Sequence, residues 1–277
     1  MPELPEVEMV TRHLRVLWVG RTVTKAQLLW PRTAPEHSPR QFAAWLKGAR
    51  VDGIARRGKY ILAHLQTGRT LLVHLRMTGR FFYLADNAEA PLHTLAVFHL
   101  DNGKKLLFHD VRKFGKLHLA RTDRLHESEQ LAALAPEPFS AEFSVEYLYD
   151  TLRASAQQIK LVLLDQTKVL GLGNIYAAEA LHRAGVHPQL AARKLSKPRA
   201  ALLHREIVAV LHEAIANEST LNTNPEDLDA SYTGGTYEAM TRVYEREGQL
   251  CLICATPIRR IVQGQRSTYF CPKCQRR

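Results

Sequence analysis

The sequence predicts an α+β chain: an antiparallel β-sandwich led by an N-terminal helix, then a helical domain, then a zinc ribbon. Three observations carry this. Short β-rich runs separated by tight-turn signals fill the stretch from Thr22 to about Ala120. Helical periodicity takes over after Ala135-Pro136-Glu137-Pro138. Two C-x2-C pairs, Cys251 with Cys254 and Cys271 with Cys274, close the chain. With 277 residues, 45% of them hydrophobic, there is material for more than one core. The boundaries are expected to give domains over 1–135, 136–235 and 236–277.

In chain order, Val7, Val10, Leu14 and Leu17 fall at helical spacing, and Glu6 and Glu8 sit in a first turn, where the helix dipole favours negative charge. A helix over 5–18 follows. The β-rich runs are Ile61-Leu62-Ala63, Thr70 to Val73, Leu95 to Phe98, Lys105 to Phe108 and Lys116 to Leu119. Gln66-Thr67-Gly68 and Asp101-Asn102-Gly103-Lys104 suit tight hairpins between them. Residues 144–153, 157–166, 175–184 and 198–216 carry helical periodicity, punctuated by Gly171, Gly173, Gly185 and Pro188. A polar segment from Asn217 to Gly235 precedes the ribbon, and so long an irregular stretch is usually functional or disordered.

The net charge is +11 and the isoelectric point about 9.7. Binding one Zn2+ through four thiolates would remove two charges and leave about +9. Such a chain favours a polyanion, nucleic acid ahead of an anionic membrane. No apolar run reaches the length needed to span a bilayer, and the N-terminus is acidic where a signal peptide is basic. A cytoplasmic or nucleoid location is expected.

Four cysteines in paired C-x2-C spacing leave no partner for a disulfide framework elsewhere, and each pair aims two thiolates at one metal. The expectation is one structural Zn2+ on a two-stranded ribbon. Its hairpin carries Arg259, Arg260 and Arg266, which either meet phosphates or form a solvated face. At the other end, Met1 precedes a small residue and is normally trimmed, which would leave the secondary amine of Pro2 free beside Glu3. An α-amino group titrates near 7.7 to 8.0, so a neutral fraction is available to attack an electrophilic carbon. Alternatively, Pro2 and Pro5 simply start a helix.

The segment Gly171-Leu172-Gly173-Asn174-Ile175-Tyr176 opens a helix, with Asn174 as N-cap or as part of an anion site at the helix N-terminus. Basic groups cluster at strand ends in Arg56-Arg57-Gly58-Lys59, in His74-Leu75-Arg76-Met77-Thr78-Gly79, and in Asp110-Val111-Arg112-Lys113-Phe114-Gly115. Met77 and Phe114 are either core residues or apolar wedges of the kind inserted between base steps.

Together these motifs closely resemble the formamidopyrimidine-DNA glycosylase family, whose relatives include endonuclease VIII. The resemblance covers the whole chain: Pro-Glu-Leu-Pro-Glu-Val-Glu at the start, Lys59, His-Leu-x-Met-Thr-Gly, Asp-x-Arg-x-Phe-Gly, Pro136-Glu137-Pro138, Ile159-Lys160, Gly-Leu-Gly-Asn-Ile-Tyr-Ala and the zinc ribbon. It implies a base-excision enzyme that removes oxidised purines, 8-oxoguanine and formamidopyrimidines, and nicks the abasic site by β,δ-elimination. By that resemblance Pro2 attacks C1′ and Glu3 is the acid/base on the sugar, while Lys59 and Arg266 assist the eliminations. Met77, Arg112 and Phe114 fill the gap left by the extruded base. His74, His93, Lys160 and Asn174 join the DNA-binding set, with Lys160 expected to meet a phosphate. The helices around Gly171 to Asn174 would form the family's helix-two-turn-helix, and the loop before the ribbon would cover the flipped base. The implied partner is damaged double-stranded DNA, met by a monomer away from any membrane.

The chain departs from the family where Arg153-Ala154-Ser155-Ala156-Gln157-Gln158 replaces a basic cluster, where Tyr244 to Leu250 leads into the ribbon, and where Asn222-Thr223 stands in place of an Arg-Asp pair. Two other readings compete. An endonuclease VIII-like enzyme for oxidised pyrimidines is opposed by Leu4, Met77 and Phe114. A catalytically silent damage-binding zinc protein would have no use for Pro2 and Glu3.

Overall fold

The structure, a computed structural model, describes residues 2–227 and 234–277. They divide into two compact units, Met1–Ala132 with Glu218–Gly235, and Ala133–Asn217 with Thr236–Arg277.

The first unit is a β-sandwich. Helix α1 (Leu4–Trp18) leads into β1 (Val23–Leu28), α2 (Pro39–Leu46), and strands β2 (Val51–Arg57), β3 (Tyr60–Leu65), β4 (Arg69–His74), β5 (Arg80–Ala85), β6 (Thr94–Leu100), β7 (Lys104–His109) and β8 (Lys116–Arg121), with the short α3 (Glu129–Ala132) at its end. The strands form two four-stranded antiparallel sheets, ordered β1-β6-β7-β5 and β2-β3-β4-β8. The two expected hairpins stand: Gln66-Thr67-Gly68 joins β3 to β4, and Asp101 to Gly103 joins β6 to β7. Alternate side chains of both sheets, among them Ile61, Val73, Leu119, Phe98 and Phe108, share one core with Val7, Val10, Leu14 and Trp18 of α1. Trp18, rather than the expected Leu17, completes that stripe, fully buried with its ring 5.2 Å from that of Phe98.

The second unit packs α4 (Val145–Arg153), α5 (Ile159–Leu164), α6 (Asn174–Arg183) and the long α7 (Lys197–Ala216) together with the ribbon strands β9 (Arg259–Gln263) and β10 (Arg266–Phe270). Leu148, Leu152, Ile207, Val210 and Leu211 are fully buried along the faces of α4 and α7, so amphipathic periodicity decides which side each helix turns inward.

The units differ from the boundaries expected from sequence. The stretch after α7, expected with the helices, belongs to the sandwich unit, whereas ribbon and helices form one body. Buried carboxylates account for both. Glu6 of α1 accepts from the backbone and hydroxyl of Thr220, and Glu179 of α6 accepts from the backbone N–H groups of Arg242, Val243 and Tyr244 at 2.8–3.0 Å. Charge-assisted bonds of this kind are worth about 1.5–3 kcal/mol each, enough to fix chain segments that bury few apolar side chains.

Candidate active site and nucleic-acid interface

In the sandwich unit, Pro2 and Glu3 are buried at the start of α1. Glu3 is the N-cap, in extended conformation, and its backbone N–H donates to Glu6 Oε2 at 2.8 Å in a capping-box arrangement. The other oxygen of Glu6 receives the Thr220 N–H at 3.2 Å and the Thr220 hydroxyl at 2.9 Å. Further on, Thr223 O meets His13 Nδ1 at 3.1 Å, and Pro225 O accepts the Tyr83 N–H at 2.7 Å. The start of the segment expected to cover the lesion is therefore pinned to the helix that carries Pro2 and Glu3. Its centre, residues 228–233, lies outside the described residues, as does Met1.

Lys59 is buried in the turn between β2 and β3. That turn is tied to α1 by Arg56, whose guanidinium donates to Glu8 Oε2 at 2.9 Å and to Gly58 O at 3.1 Å.

The loops that carry Met77 and Phe114 converge on one carboxylate. Asp110, fully buried, accepts through Oδ1 from Arg112 N (3.0 Å) and from the Thr78 hydroxyl, and through Oδ2 from Phe114 N (2.8 Å) and Gly115 N (2.7 Å). A single side chain thus positions Arg112 and Phe114 on one loop and the neighbour of Met77 on the other. Glycine is required beside each wedge. A Cβ at Gly115 would lie 2.5 Å from the Phe108 ring, and one at Gly79 would lie 2.4 Å from Leu75 O. Met77 and Phe114 themselves face outward, 38% and 48% exposed, which excludes the core reading. The Arg112 guanidinium lies 4.9 Å from the Phe114 ring centroid, a cation–π contact that holds the pair together.

His74 ends β4. Its Nδ1 accepts the Arg76 N–H at 3.0 Å, and its ring meets that of Tyr60 edge-on at 4.7 Å. Burial first, then the charges of Arg76 and Lys59, hold its pKa down to about 3, so the ring is neutral at physiological pH and shapes the turn before Met77 rather than offering a cation to phosphate. His93 takes a left-handed backbone, φ 69°, edge-on to His109 with ring centroids 6.2 Å apart, and its carbonyl accepts the Asp110 N–H at 3.1 Å.

In the second unit Asn174 does not take the N-cap, and Lys160 is turned inward. Gly173 is the N-cap of α6 and Asn174 its first residue. The Asn174 side chain donates to Ser267 O at 2.9 Å and accepts from Lys160 Nζ at 2.7 Å. Lys160 is fully buried, and its ammonium also donates to Thr268 Oγ1 at 2.7 Å and Ser267 O at 3.3 Å. Lysine has three N–H donors, and three are engaged, so Lys160 fixes Asn174 against β10 instead of reaching solvent. Arg266, the first residue of that strand, is exposed. Arg260, on the paired strand β9, is partly spent on Ser267 Oγ (2.9 Å) and Glu247 (3.8 Å). Gln158, standing where a basic cluster is common, accepts instead from Gln263 at the end of β9 at 2.6 Å.

The four cysteines fit one structural zinc. Tetrahedral Zn–S bonds of about 2.3 Å place sulfurs roughly 3.8 Å apart. Here Cys251 and Cys274 lie 3.9 Å apart, Cys254 and Cys271 3.5 Å, and all four Sγ atoms within 4.8 Å of one another. With every ligand position taken by sulfur, the metal organises the ribbon and leaves no site for substrate. Cys251 Sγ also lies 3.6 Å from His182 Nε2, a neighbour outside the ligand set.

Sequence reasoning missed Glu6, Asp110 and Glu179 as organisers. The available signal was an acidic residue inside an otherwise apolar or loop motif, where burial demands hydrogen-bond donors.

Residues 1–117 match the formamidopyrimidine-DNA glycosylase N-terminal domain family, 134–224 the formamidopyrimidine-DNA glycosylase H2TH domain, and 248–277 the zinc finger found in FPG and IleRS. The formamidopyrimidine-DNA glycosylase of Desulforamulus reducens is 42% identical, the match covering 100% of this chain and 99% of that protein. Among solved structures, a complex of Lactococcus lactis Fpg (MutM) with Fapy-dG-containing DNA superposes with a TM-score of 0.92 at 32% identity, covering 99% of this chain and 100% of that one. MutM in complex with carbocyclic 8-oxo-G-containing DNA gives 0.91 at 34% identity, with both chains fully covered.

Proposed function

The chain belongs to the formamidopyrimidine-DNA glycosylase family, and from that premise we propose that it repairs DNA through a covalent intermediate on Pro2. The protein is a bifunctional DNA glycosylase and abasic-site lyase of base-excision repair, with oxidised purines in double-stranded DNA as substrate.

The damaged base must leave the stack before its glycosidic bond can be reached. Met77 and Phe114, both exposed, the one beside the Asp110-bound Thr78 and the other bonded to Asp110 directly, occupy the space it vacates, with Arg112 held against Phe114. The Pro2 lone pair forms a bond to C1′ as the bond from C1′ to the base breaks, and the base departs with that electron pair and takes a proton from water. Glu3 relays the proton that the Pro2 nitrogen loses to the ring oxygen, the sugar opens, and an iminium links Pro2 to C1′. Loss of a C2′ proton expels the 3′ phosphate, a second elimination expels the 5′ phosphate, and water then releases Pro2. Lys59 and Arg266 neutralise the departing phosphates. Asn174, held by Lys160, supports the backbone from the start of α6. The ribbon zinc contributes folding energy that holds Arg266 on its hairpin.

The observation that carries this reading is the buried Pro2-Glu3 pair at the start of α1, whose backbone is fixed by Glu6. Borohydride reduction on a duplex containing 8-oxoguanine, followed by peptide mapping, should find the sugar remnant on Pro2. A remnant on Lys59 would overturn the assignment. Among the described residues no helix is long and apolar enough to cross a membrane, and the relatives are bacterial. We place its work on bacterial chromosomal DNA in the cytoplasm, as a single chain.

A further inference from the structure

One group of metal-type donors among the described residues belongs neither to the ribbon nor to the catalytic set. Glu36 and His37 lie in the turn before α2, and His118 lies on β8. Their ligating atoms all fall within 4.8 Å of one another. The two imidazole rings are 6.0 Å apart between centroids and tilted by 33°. Two histidines bound to one tetrahedral ion at about 2.0–2.1 Å place their centroids roughly 5–6 Å apart, so a small inward movement would close the set.

The cluster is more built than a surface ion pair. His118 Nδ1 lies 2.6 Å from Glu36 Oε2, which already orients the carboxylate toward the rings. His37 is held edge-on against Trp45 at 5.0 Å, its backbone N–H donates to Ala34 O, and the Leu119 N–H reaches its Nε2 at 3.4 Å. A cation shared by all three would draw the His37 ring, already placed beside the Glu36–His118 pair, into one ligand set. The group borders a cleft of about 110 Å³ that His74 and Arg76 also line, leaving room for a water ligand.

We propose that Glu36, His37 and His118 form a second metal site, for a first-row divalent cation that favours imidazole, such as Zn2+, Co2+ or Ni2+, with water completing the coordination. Two imidazoles with one carboxylate suit these ions better than Mg2+ or Ca2+, which prefer oxygen throughout.

Co2+ titrated into the untagged full-length protein, after elemental analysis has shown its ribbon zinc in place, tests the site. The wild type should bind one further equivalent and develop weak visible d–d bands without the intense charge-transfer bands of cobalt thiolates. Losing an outer partner of a metal site costs about 10–100-fold in affinity, so loss of a ligand in His37→Ala or His118→Ala should cost roughly 100-fold or more. Glu36→Gln, at an exposed position, should weaken binding by roughly 10-fold or more with an unchanged melting temperature. No second equivalent in the wild type would overturn the proposal, as would unchanged cobalt affinity in the His37→Ala/His118→Ala double variant. Thiolate charge-transfer bands on titration would overturn it too, by assigning the added metal to the ribbon.

Discussion

Glu6 Oε1 receives both the backbone N–H and the hydroxyl of Thr220, 214 residues away in sequence, while Oε2 of the same buried carboxylate receives the Glu3 N–H. The residue after the proposed nucleophile and the base of the lesion-side segment therefore share one anchor. Glu6→Gln turns one acceptor oxygen into a donor that faces N–H groups, at a cost of about 1–3 kcal/mol for a buried unsatisfied group. Thr220→Val removes the hydroxyl alone and should cost about 1 kcal/mol. We expect Glu6→Gln to slow excision of 8-oxoguanine more than cleavage of a ready-made abasic site, read by single-turnover assays on both duplexes. Equal loss on the two would reduce Glu6 to a fold residue.

The wedge loops invite a second comparison. If Phe114 and Met77 offset an unstacking cost of a few kcal/mol, their alanine variants should lose on the order of 100-fold in excision from paired duplex. Cleavage of a preformed abasic site should fall much less. Asp110→Asn leaves Phe114 and Arg112 in the chain but puts an NH2 where backbone N–H groups now donate. It should reproduce the Phe114→Ala pattern with a lowered melting temperature. An Asp110→Asn enzyme of normal excision rate would show that the wedges need no such support.

Lys160 and Arg266 separate by salt dependence. Each phosphate contact contributes about 0.9 to the slope of log affinity against log salt. Exposed Arg266→Ala should lower that slope by about one contact. Lys160→Met, in which the lost ammonium is the one engaged by Asn174, Thr268 and Ser267, should weaken binding to all sequences with the slope unchanged. Electrophoretic titrations at several salt concentrations decide. A reduced slope in Lys160→Met would restore Lys160 as a direct phosphate ligand.

Burial and nearby positive charge hold the folded-state pKa of His74 to about 3, below the ordinary value of 6.5. The unfolded chain therefore takes up a proton that the folded chain refuses. The stability tied to the neutral ring is complete above about pH 6.5 and drains away as pH falls toward 3. Between pH 7 and pH 5 this amounts to about 2 kcal/mol. His74→Gln should flatten the pH dependence of the denaturation midpoint by that much over this interval. An unaltered pH profile would mean that the imidazole is protonated in the folded state.

The first helix and most of the sandwich strands were legible because their apolar spacing is regular: Val7, Val10 and Leu14 mark α1, and uninterrupted runs mark β4, β6 and β7. Strands β1, β2 and β5 and helices α2 and α3 were not; in β2, Asp52, Gly53 and Arg56-Arg57 break the alternation and its pairing with β3 shifts register between Val51 and Gly53. The zinc site could be read from spacing alone, since ligands paired three residues apart need little tertiary information. Glu6, Asp110, Lys160 and Glu179 could not. A charged side chain reads as surface until its donors or acceptors are known, and those of Glu6, Glu179 and Lys160 come from segments distant in sequence. The same holds for Lys160, whose charge suggested phosphate and whose ammonium is buried against Asn174, Thr268 and Ser267.

The covalent mechanism stands on the amine of Pro2. A secondary amine at the chain terminus has a lone pair; the same nitrogen in a peptide bond has none to give. Intact mass should find the mature protein short by one methionine, and borohydride should trap it on duplex containing 8-oxoguanine. A variant with a retained N-terminal extension should bind DNA nearly as well and fail to trap, with activity reduced by several orders of magnitude. Glu3→Gln should lose base excision, because an amide cannot exchange the required proton, while keeping part of its cleavage of preformed abasic sites. The two variants discriminate between chemistry and fold. An extended protein that traps at the native rate has another nucleophile, and Lys59, buried beside the helix that carries Glu3, becomes the first residue to test.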